Sequence, residues 1–374
     1  MYILGVNLSH HSSVCLLKDE KIIFYLENDR LSHIKRHEFE YADCLEILTF
    51  IRKYTTHIDH IIFSSYGKIY PYIDRNPYSD TGEEVVIDYF KEQLNNYKIK
   101  YDSIHYYNEH HLYHATNGFY NSKFDEAVVL IMDGGGMYYR DFTDLREIET
   151  MYYFSNLEFE TVKKHYSSRE IFHKDKPIKY DEKTIFSSSL SCGWIFNTIE
   201  RLSNIEVGNV MCLSSYGDLE KVSSRDWFLY DESTDLWYTD NFSILETYRE
   251  NCIYYKINPN GVGKRLFFYD DGIDFPYQTI ANVAKKAQKE TKEHTIRLIR
   301  QLLEKYNTKN VVLSGGYMLN CVNNYEYLKA FPDINFYIDP IAHDGGTSIG
   351  AAKYLWHNVL KNSKRGELET LYLG

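Results

Sequence analysis

The sequence predicts an α/β protein built as two lobes around a cleft, and three observations carry that expectation. The chain has 374 residues, 44% hydrophobic and 25% charged, an ordinary globular balance at a length that suits two or three domain-sized units or one duplicated fold. The order three strands, helix, strand, helix, strand occurs twice along it. Each half opens with a strand that runs into a small or polar loop, and ligands of open α/β folds sit at such carboxyl ends of strands.

In the first half, Tyr2–Leu8, Ser12–Leu17 and Ile22–Leu26 read as a meander of apolar strands around the turn Lys18-Asp19-Glu20-Lys21. A helix follows near Ala42–Tyr54, then a strand His60–Ser64, a helix near Glu84–Asn95, a short strand Ser103–Tyr106 and a helix near Glu109–Phe119. The pattern restarts with the continuous apolar strand Glu126–Met132, with Met151–Phe154 and Phe159–Val162 as hairpin partners. Helices are expected near Phe186–Leu202 and Thr279–Tyr306, then strands Asn310–Leu313 and Asn335–Ile338, and a closing helix from Gly345 to about Asn358. The stretch Asp218–Asp274 is rich in Tyr, Trp, Asp and Ser without clean periodicity and reads as an insertion. The lobes are placed at residues 1–120 and 121–374.

Composition excludes several classes. No run nears the roughly 18 apolar residues of a membrane span, and the start MYILGVNLSHHSS lacks a basic n-region or cleavage site. The six cysteines include no Cys-x-x-Cys pair, which reads as reduced thiols in a cytoplasm. Forty-two basic against 53 acidic residues leave −11, against a broad nucleic-acid footprint though not against a local basic funnel. The 36 tyrosines are expected at half-exposed positions, and read as compositional bias rather than a stacking surface.

Three strand-end turns contain the small residues that let backbone N–H groups approach a phosphate: Asn7 to Ser13 with Ser9, Asp133-Gly134-Gly135-Gly136, and Ser314-Gly315-Gly316 followed by Asn320. None is a P-loop or dinucleotide fingerprint. His110 and His114 stand four apart at a probable helix start, so both imidazoles share one face within reach of one ion. Asp133 and Asp344 sit at small-residue turns and could complete the set, although Asp344 also reads as a helix cap. Two imidazoles and two carboxylates suit Fe(II), Mn(II) or Zn(II) without singling one out. His10, beside the first turn, has the titration range of a general base, and Lys35 with Arg36 could neutralise a phosphate or simply face solvent.

Six segments in order resemble one family: Leu4-Gly5-Val6-Asn7-Leu8-Ser9-His10-His11-Ser12-Ser13, Asp29-Arg30-x-Ser32-x-x-Lys35, His110-His111-x-x-His114-Ala115, Val129 to Gly136, Ser314-Gly315-Gly316-x-x-Leu319-Asn320-Cys321-Val322, and His343 to Ala352. They look like the nodulation and antibiotic O-carbamoyltransferases, whose transfer domain has an actin/Hsp70-like fold related to tRNA threonylcarbamoyl transferases. The resemblance implies a duplicated actin/Hsp70-like (ASKHA) fold around a nucleotide cleft. It implies a metal at His110, His114, Asp133 and Asp344, and His10 and Lys35 engaging a carbamoyl-adenylate made from carbamoyl phosphate and ATP. A hydroxyl acceptor, a small molecule or nucleoside, would receive the carbamoyl group. Two departures stand out. Only Lys353–Gly374 follows the last motif, which implies a separate adenylate-forming protein, and the family's Glu-Gly-Lys-x-Met-Gly segment reads Glu206-Val207-Gly208-Asn209-Val210-Met211-Cys212, with Asn209 for lysine and Cys212 for glycine. An actin-like ATPase or kinase, or a nucleotide-binding scaffold, are the alternatives; imidazole ligands disfavour a Mg²⁺-dependent kinase.

Overall fold

Alternating apolar residues with both faces buried explain the first sheet. Strands β1 (Tyr2–Asn7), β2 (Ser13–Lys18) and β3 (Lys21–Glu27) form an antiparallel meander, and after helices α1 (Asp29–Ser32) and α2 (Asp43–Tyr54), strand β4 (His57–Ser65) pairs parallel with β1. Helix α3 (Asp80–Asn96) and strand β5 (Lys100–Tyr106) complete the order β3-β2-β1-β4-β5. In β1, Leu4 and Val6 face one core and Ile3 faces another, as the period of two requires. The computed structural model describes residues 1–35, 43–65, 80–107, 109–139, 142–168, 176–203, 205–250, 277–368 and 370.

Helix α4 (His110–Asn121) carries the chain to the second sheet, formed by β6 (Glu126–Met132), β7 (Tyr138–Tyr139), β8 (Phe142–Ser155), β9 (Glu158–Ser168), β10 (Ile178–Lys179) and β11 (Thr184–Ser187). Then come α5 (Cys192–Ser203), α6 (Val207–Leu213), the hairpin β12 (Phe228–Asp231) and β13 (Leu236–Thr239), α7 (Asn241–Glu250) and the long α8 (Tyr277–Lys305). Strand β14 (Asn310–Ser314), α9 (Cys321–Ala330), β15 (Asn335–Ile338) and α10 (Thr347–Tyr354) end the described fold, α10 running into a π turn at Leu355–Val359. The inner order β9-β8-β6-β14-β15, antiparallel on one side of β6 and parallel on the other, repeats that of the first sheet around β1. The duplication read from the strand–helix order is therefore real at the level of topology.

The sheets are stacked with α4 and α10 between them. α10 follows the second sheet in sequence yet packs on β1, β2 and β4, while α4 packs on β6 and β14 and against α10. Every residue of α4 is buried. Gly350 permits the α4–α10 contact, because a Cβ there would run into the Tyr113 carbonyl. Outside, α2 and α3 cover the first sheet, and α5 and α8 cover the second.

Several expectations need correction. The helix expected from Phe186 starts at Cys192, and Thr184–Ser187 is instead a strand beside β9. Its β-branched and aromatic residues favour pairing, and the serines after it bond backbone locally, with Ser187 Oγ accepting from Ser189 N at 3.0 Å. The hairpin partners of β6 are far longer than four residues. In the stretch read as an insertion, Trp227, Phe228, Ile244 and Tyr248 belong to the large core under α8, and residues 251–274 lie outside the described set. Tyr113, Tyr120, Tyr152, Tyr248 and Tyr327 are fully buried, not half-exposed.

Candidate metal centre and adjoining cavity

Three elements bring the four expected ligands together. His110 and His114 lie one turn apart on α4, Asp133 follows β6, and Asp344 opens the 3₁₀ turn before α10. Their ligand atoms all lie within 4.8 Å of one another. His110 Nε2 is 3.6 Å from Asp133 Oδ2 and 3.5 Å from Asp344 Oδ1, and His114 Nε2 is 3.5 Å from Asp344 Oδ1. Those separations stand at or beyond the limit of a hydrogen bond, and the carboxylates and imidazoles converge on a shared point. The two Nε2 atoms are 3.1 Å apart, and two nitrogens each ~2.0–2.1 Å from one ion at 90–109° stand about 3 Å apart. The donor set fits a divalent cation.

Electrostatics agree with that geometry. Burial would lower His110, but Asp344 and Asp133 override it and hold the ring up at about 10. Burial opposes ionisation of Asp344, yet His110, His10 and His114 keep it well below the usual carboxylate range. Asp133 is also lowered against its burial, with His110 as the chief favourable partner. Its Oδ1 accepts from Gly316 N at 3.1 Å and its Oδ2 from Gly135 N at 3.4 Å. Gly315, with φ +96° and no room for a Cβ beside the Met132 carbonyl, makes that turn. Backbone N–H groups expected to meet a phosphate are thus aimed at Asp133.

A cavity of about 650 Å³ opens beside the quartet. Among the described residues its wall includes Ser9, His10, His110, Asp133, Gly134, Gly135, Gly316, Asn320 and Asp344 of those singled out in the sequence. His10 is half-exposed, with Nδ1 3.1 Å from Asp344 Oδ2. His114 is fully buried behind its neighbours.

The remaining candidates do other work. Asn7 is buried: its Nδ2 donates to the His11 and Asp344 carbonyls at 3.0 Å each, and its Oδ1 accepts from Ser9 N, Ser9 Oγ and Ser65 Oγ. That amide fastens the His10 turn to the Asp344 turn. Ser314 is buried and donates to Asp339 Oδ2 at 3.3 Å. Asn320 lines the cavity but its amide is exchanged with that of Gln288, and it caps α9 through Asn323 N. Lys35 pairs with Glu206 at 2.9 Å in an exposed contact, next to Val207 and Gly208 of the cavity wall. Arg36 lies outside the described residues.

Two features escaped the sequence reading. His11, Glu27 and His343 form a second group beside the first, His343 Nε2 being 3.6 Å from Glu27 Oε1. Gly345 N donates to His343 Nδ1 at 3.1 Å, which puts that ring's proton on Nε2 facing Glu27, so the pair braces the turn. The second feature is a face of α5: Gly193, Trp194, Asn197 and Arg201 line the cavity at helical spacing, joined by Arg146 of β8. The spacing of residues 193, 197 and 201 was legible, but which face of α5 met the cleft was not.

A family model described as carbamoyltransferase N-terminus matches residues 2–353. The chain belongs to that family. It is 28% identical over 266 residues to an uncharacterised Synechocystis protein, covering 69% of this chain and 37% of that one. It is 26% identical over 277 residues to the nodulation protein NolNO of Sinorhizobium fredii, covering 71% and 33%. The chain thus spans about a third of the length of these curated relatives. Among solved structures, full-length HypF in its phosphate- and nucleotide-bound form aligns with TM-score 0.57 and 15% identity over 98% of this chain and 56% of that one. That likeness shows the fold, which is the duplicated actin/Hsp70-like arrangement. Among the described residues, no helix is long and apolar enough to cross a membrane.

Proposed function

We propose that this chain is the acceptor-transfer part of an O-carbamoyltransferase, moving a carbamoyl group from carbamoyl-adenylate to a hydroxyl. Family membership supports the reaction class, and the observation that carries the site assignment is the convergence of His110, His114, Asp133 and Asp344 beside a cavity that also holds His10. Those four residues would hold the divalent ion, with Fe(II) first among the candidates, and the ion supplies charge neutralisation for a phosphate.

The rest of the chemistry belongs to the chain. Asp344 faces His10 Nδ1 and so orients the imidazole with Nε2 as its proton-accepting nitrogen. In transfer, the acceptor oxygen forms a bond to the carbamoyl carbon, the bond from that carbon to the phosphate oxygen breaks, and AMP departs. The hydroxyl proton passes to His10 Nε2. Lys35, at the rim, would leave Glu206 to meet the adenylate. Activation of carbamoyl phosphate with ATP is assigned to polypeptide beyond these residues.

Transfer of radiolabelled carbamoyl groups tests this reading. The 374-residue chain with carbamoyl phosphate and ATP should give no product, and supplied carbamoyl-adenylate should restore transfer. His10→Ala should lower that transfer by about 10²–10⁴-fold. Full activity in His10→Ala would remove the base, and robust turnover without supplied adenylate would place activation within this chain.

A further inference from the structure

Three neighbouring strands of the second sheet present a carboxylate, an imidazole and a hydroxyl in a row. Glu149 of β8 stands directly across from His165 of β9, and His165 is paired on its other side with Ile185 of β11. Side chains repeat every two residues along a strand, so Ser187 lies on the face that carries His165. His165 Nδ1 is 2.8 Å from Glu149 Oε1, and His165 Nε2 is 2.6 Å from Ser187 Oγ. None of the three lines the cavity beside the metal quartet.

Chemistry assigns the protons. Burial opposes ionisation of Glu149, but His294 and His165 hold its carboxyl well below the usual range, His294 Nε2 standing 2.9 Å from Oε2. An ionised carboxylate only accepts, so the proton of a neutral His165 sits on Nδ1. Its lone pair is then on Nε2, facing the Ser187 hydroxyl. Ser189 Oγ, at 2.9 Å, is that hydroxyl's other acceptor, and the imidazole is both nearer and more basic. Ser189 N donates to Ser187 Oγ at 3.0 Å, a contact that strengthens as negative charge builds on the oxygen. Burial grades outward along the row. Glu149 and His165 are buried, whereas Ser187 is half-buried, and the ladder between β10 and β11 ends one residue before it, at Phe186.

A nucleophile within hydrogen-bond reach of a base, itself oriented by a third group, is the arrangement of an activated serine. We propose that Ser187, His165 and Glu149 form a second catalytic centre, which cleaves carboxylic esters through an acyl-serine. Ser187 Oγ bonds to the ester carbonyl carbon as its proton passes to His165 Nε2. The bond from that carbon to the alcohol oxygen breaks, and the alcohol leaves with the proton from Nε2. Water attacks the acyl-serine by the same proton route, releasing the carboxylic acid and restoring the serine. Glu149 acts through His165 and is a positioning residue.

A fluorophosphonate probe, which marks activated serines, and p-nitrophenyl acetate test this on the full chain without ATP or carbamoyl phosphate. One probe should attach per chain, at Ser187 by peptide mass spectrometry. Ser187→Ala should abolish labelling and bring ester hydrolysis down to the buffer rate. Ser188→Ala, which removes the neighbouring hydroxyl, should behave as wild type. His165→Gln should slow labelling by about 10²–10⁴-fold, the contribution of a general base. Glu149→Gln, similar in shape, should lower kcat for the ester and leave KM near wild type. The proposal is overturned if folded wild type takes up no probe, or if the adduct sits on another residue. It is equally overturned if His165→Gln is labelled at the wild-type rate, or if ester hydrolysis persists in Ser187→Ala. Should His165→Gln fail to fold, the labelling of wild type and of Ser187→Ala still decides the matter.

Discussion

Replacing His114 by alanine gives two effects of different origin, and a chelator separates them. The side chain is fully buried, so truncation leaves a cavity and costs about 2–5 kcal/mol whatever the site binds. It also removes a donor whose Nε2 stands 3.1 Å from His110 Nε2 and 3.5 Å from Asp344 Oδ1. An ion held only by the folded chain, at a hundred times its dissociation constant, stabilises by about 2.7 kcal/mol. At about 2.1 cal/mol/K per residue, a chain of 374 residues shifts by roughly 1.3 °C per kcal/mol, so chelation should lower the wild-type melting temperature by about 3–4 °C. In His114→Ala the melting temperature should already be low and should not respond to chelator. Thermal scans of both proteins with and without chelator, alongside elemental analysis, read the difference directly. An equal chelator response in the two proteins, or a stoichiometric metal retained by the variant, would refute the assignment, because removing the imidazole would then leave ion binding untouched.

Two further outcomes test neighbouring residues. Lys35→Ala should change stability by only about 0–1 kcal/mol, since its pair with Glu206 is exposed, yet raise KM for carbamoyl-adenylate; an unchanged KM would confine Lys35 to the surface. Burial raises the Asp339 carboxyl from 3.8 to about 6 against the lowering by its bond from Ile341 N. The folded state therefore holds that proton more tightly than the unfolded chain. This contribution is complete below about pH 4 and lost as pH rises through 6, amounting to about 3 kcal/mol at most. Urea midpoints between pH 4 and 7 should show this fall in wild type and not in Asp339→Asn; parallel profiles would remove Asp339 as the source.

The strands and the pairing of His110 with His114 on one helix face are legible for the same reason: both are written in local spacing. Val128, Leu130 and Met132 alternate with Ala127, Val129 and Ile131 because β6 is buried on both faces, and His110 and His114 share a face because a helix turns every 3.6 residues. What spacing cannot show is which partner a polar group chooses. Asn7, Gly316 and Asn320 were read as ligand contacts from their place in strand-end turns. The partners they hold, the Asp344 turn, Asp133 and Gln288, lie in distant parts of the chain. Trp227 and Tyr248 fall in the stretch that reads as an insertion because it has no period, yet their burial comes from packing beside α8. Arg146 and Arg201 share a cavity only after β8 and α5 have folded.

An ion held by the quartet would tie its binding to the way the two halves are joined. His110 and His114 belong to α4, whereas Asp344 arrives with α10, a helix that comes last in sequence and docks on the first sheet. That docking is anchored by Ser13 Oγ, which donates to Gly345 O at 2.7 Å, and by the close α4–α10 contact at Gly350. A methyl group added at Gly350 must move α10 away from the Tyr113 carbonyl, and overpacking of this kind costs about 1–3 kcal/mol. The same movement shifts Asp344 relative to both imidazoles, so part of the cost should appear as weaker metal binding. By linkage, the ion must then strengthen the α4–α10 contact by the same amount. Gly350→Ala should therefore lose more stability with metal present than after chelation, with a coupling of about 0.5–3 kcal/mol. Urea unfolding of wild type and variant, each with and without chelator, closes that cycle. Strictly additive effects would show that α10 can shift without disturbing the site, and that the two halves hold their ligands independently.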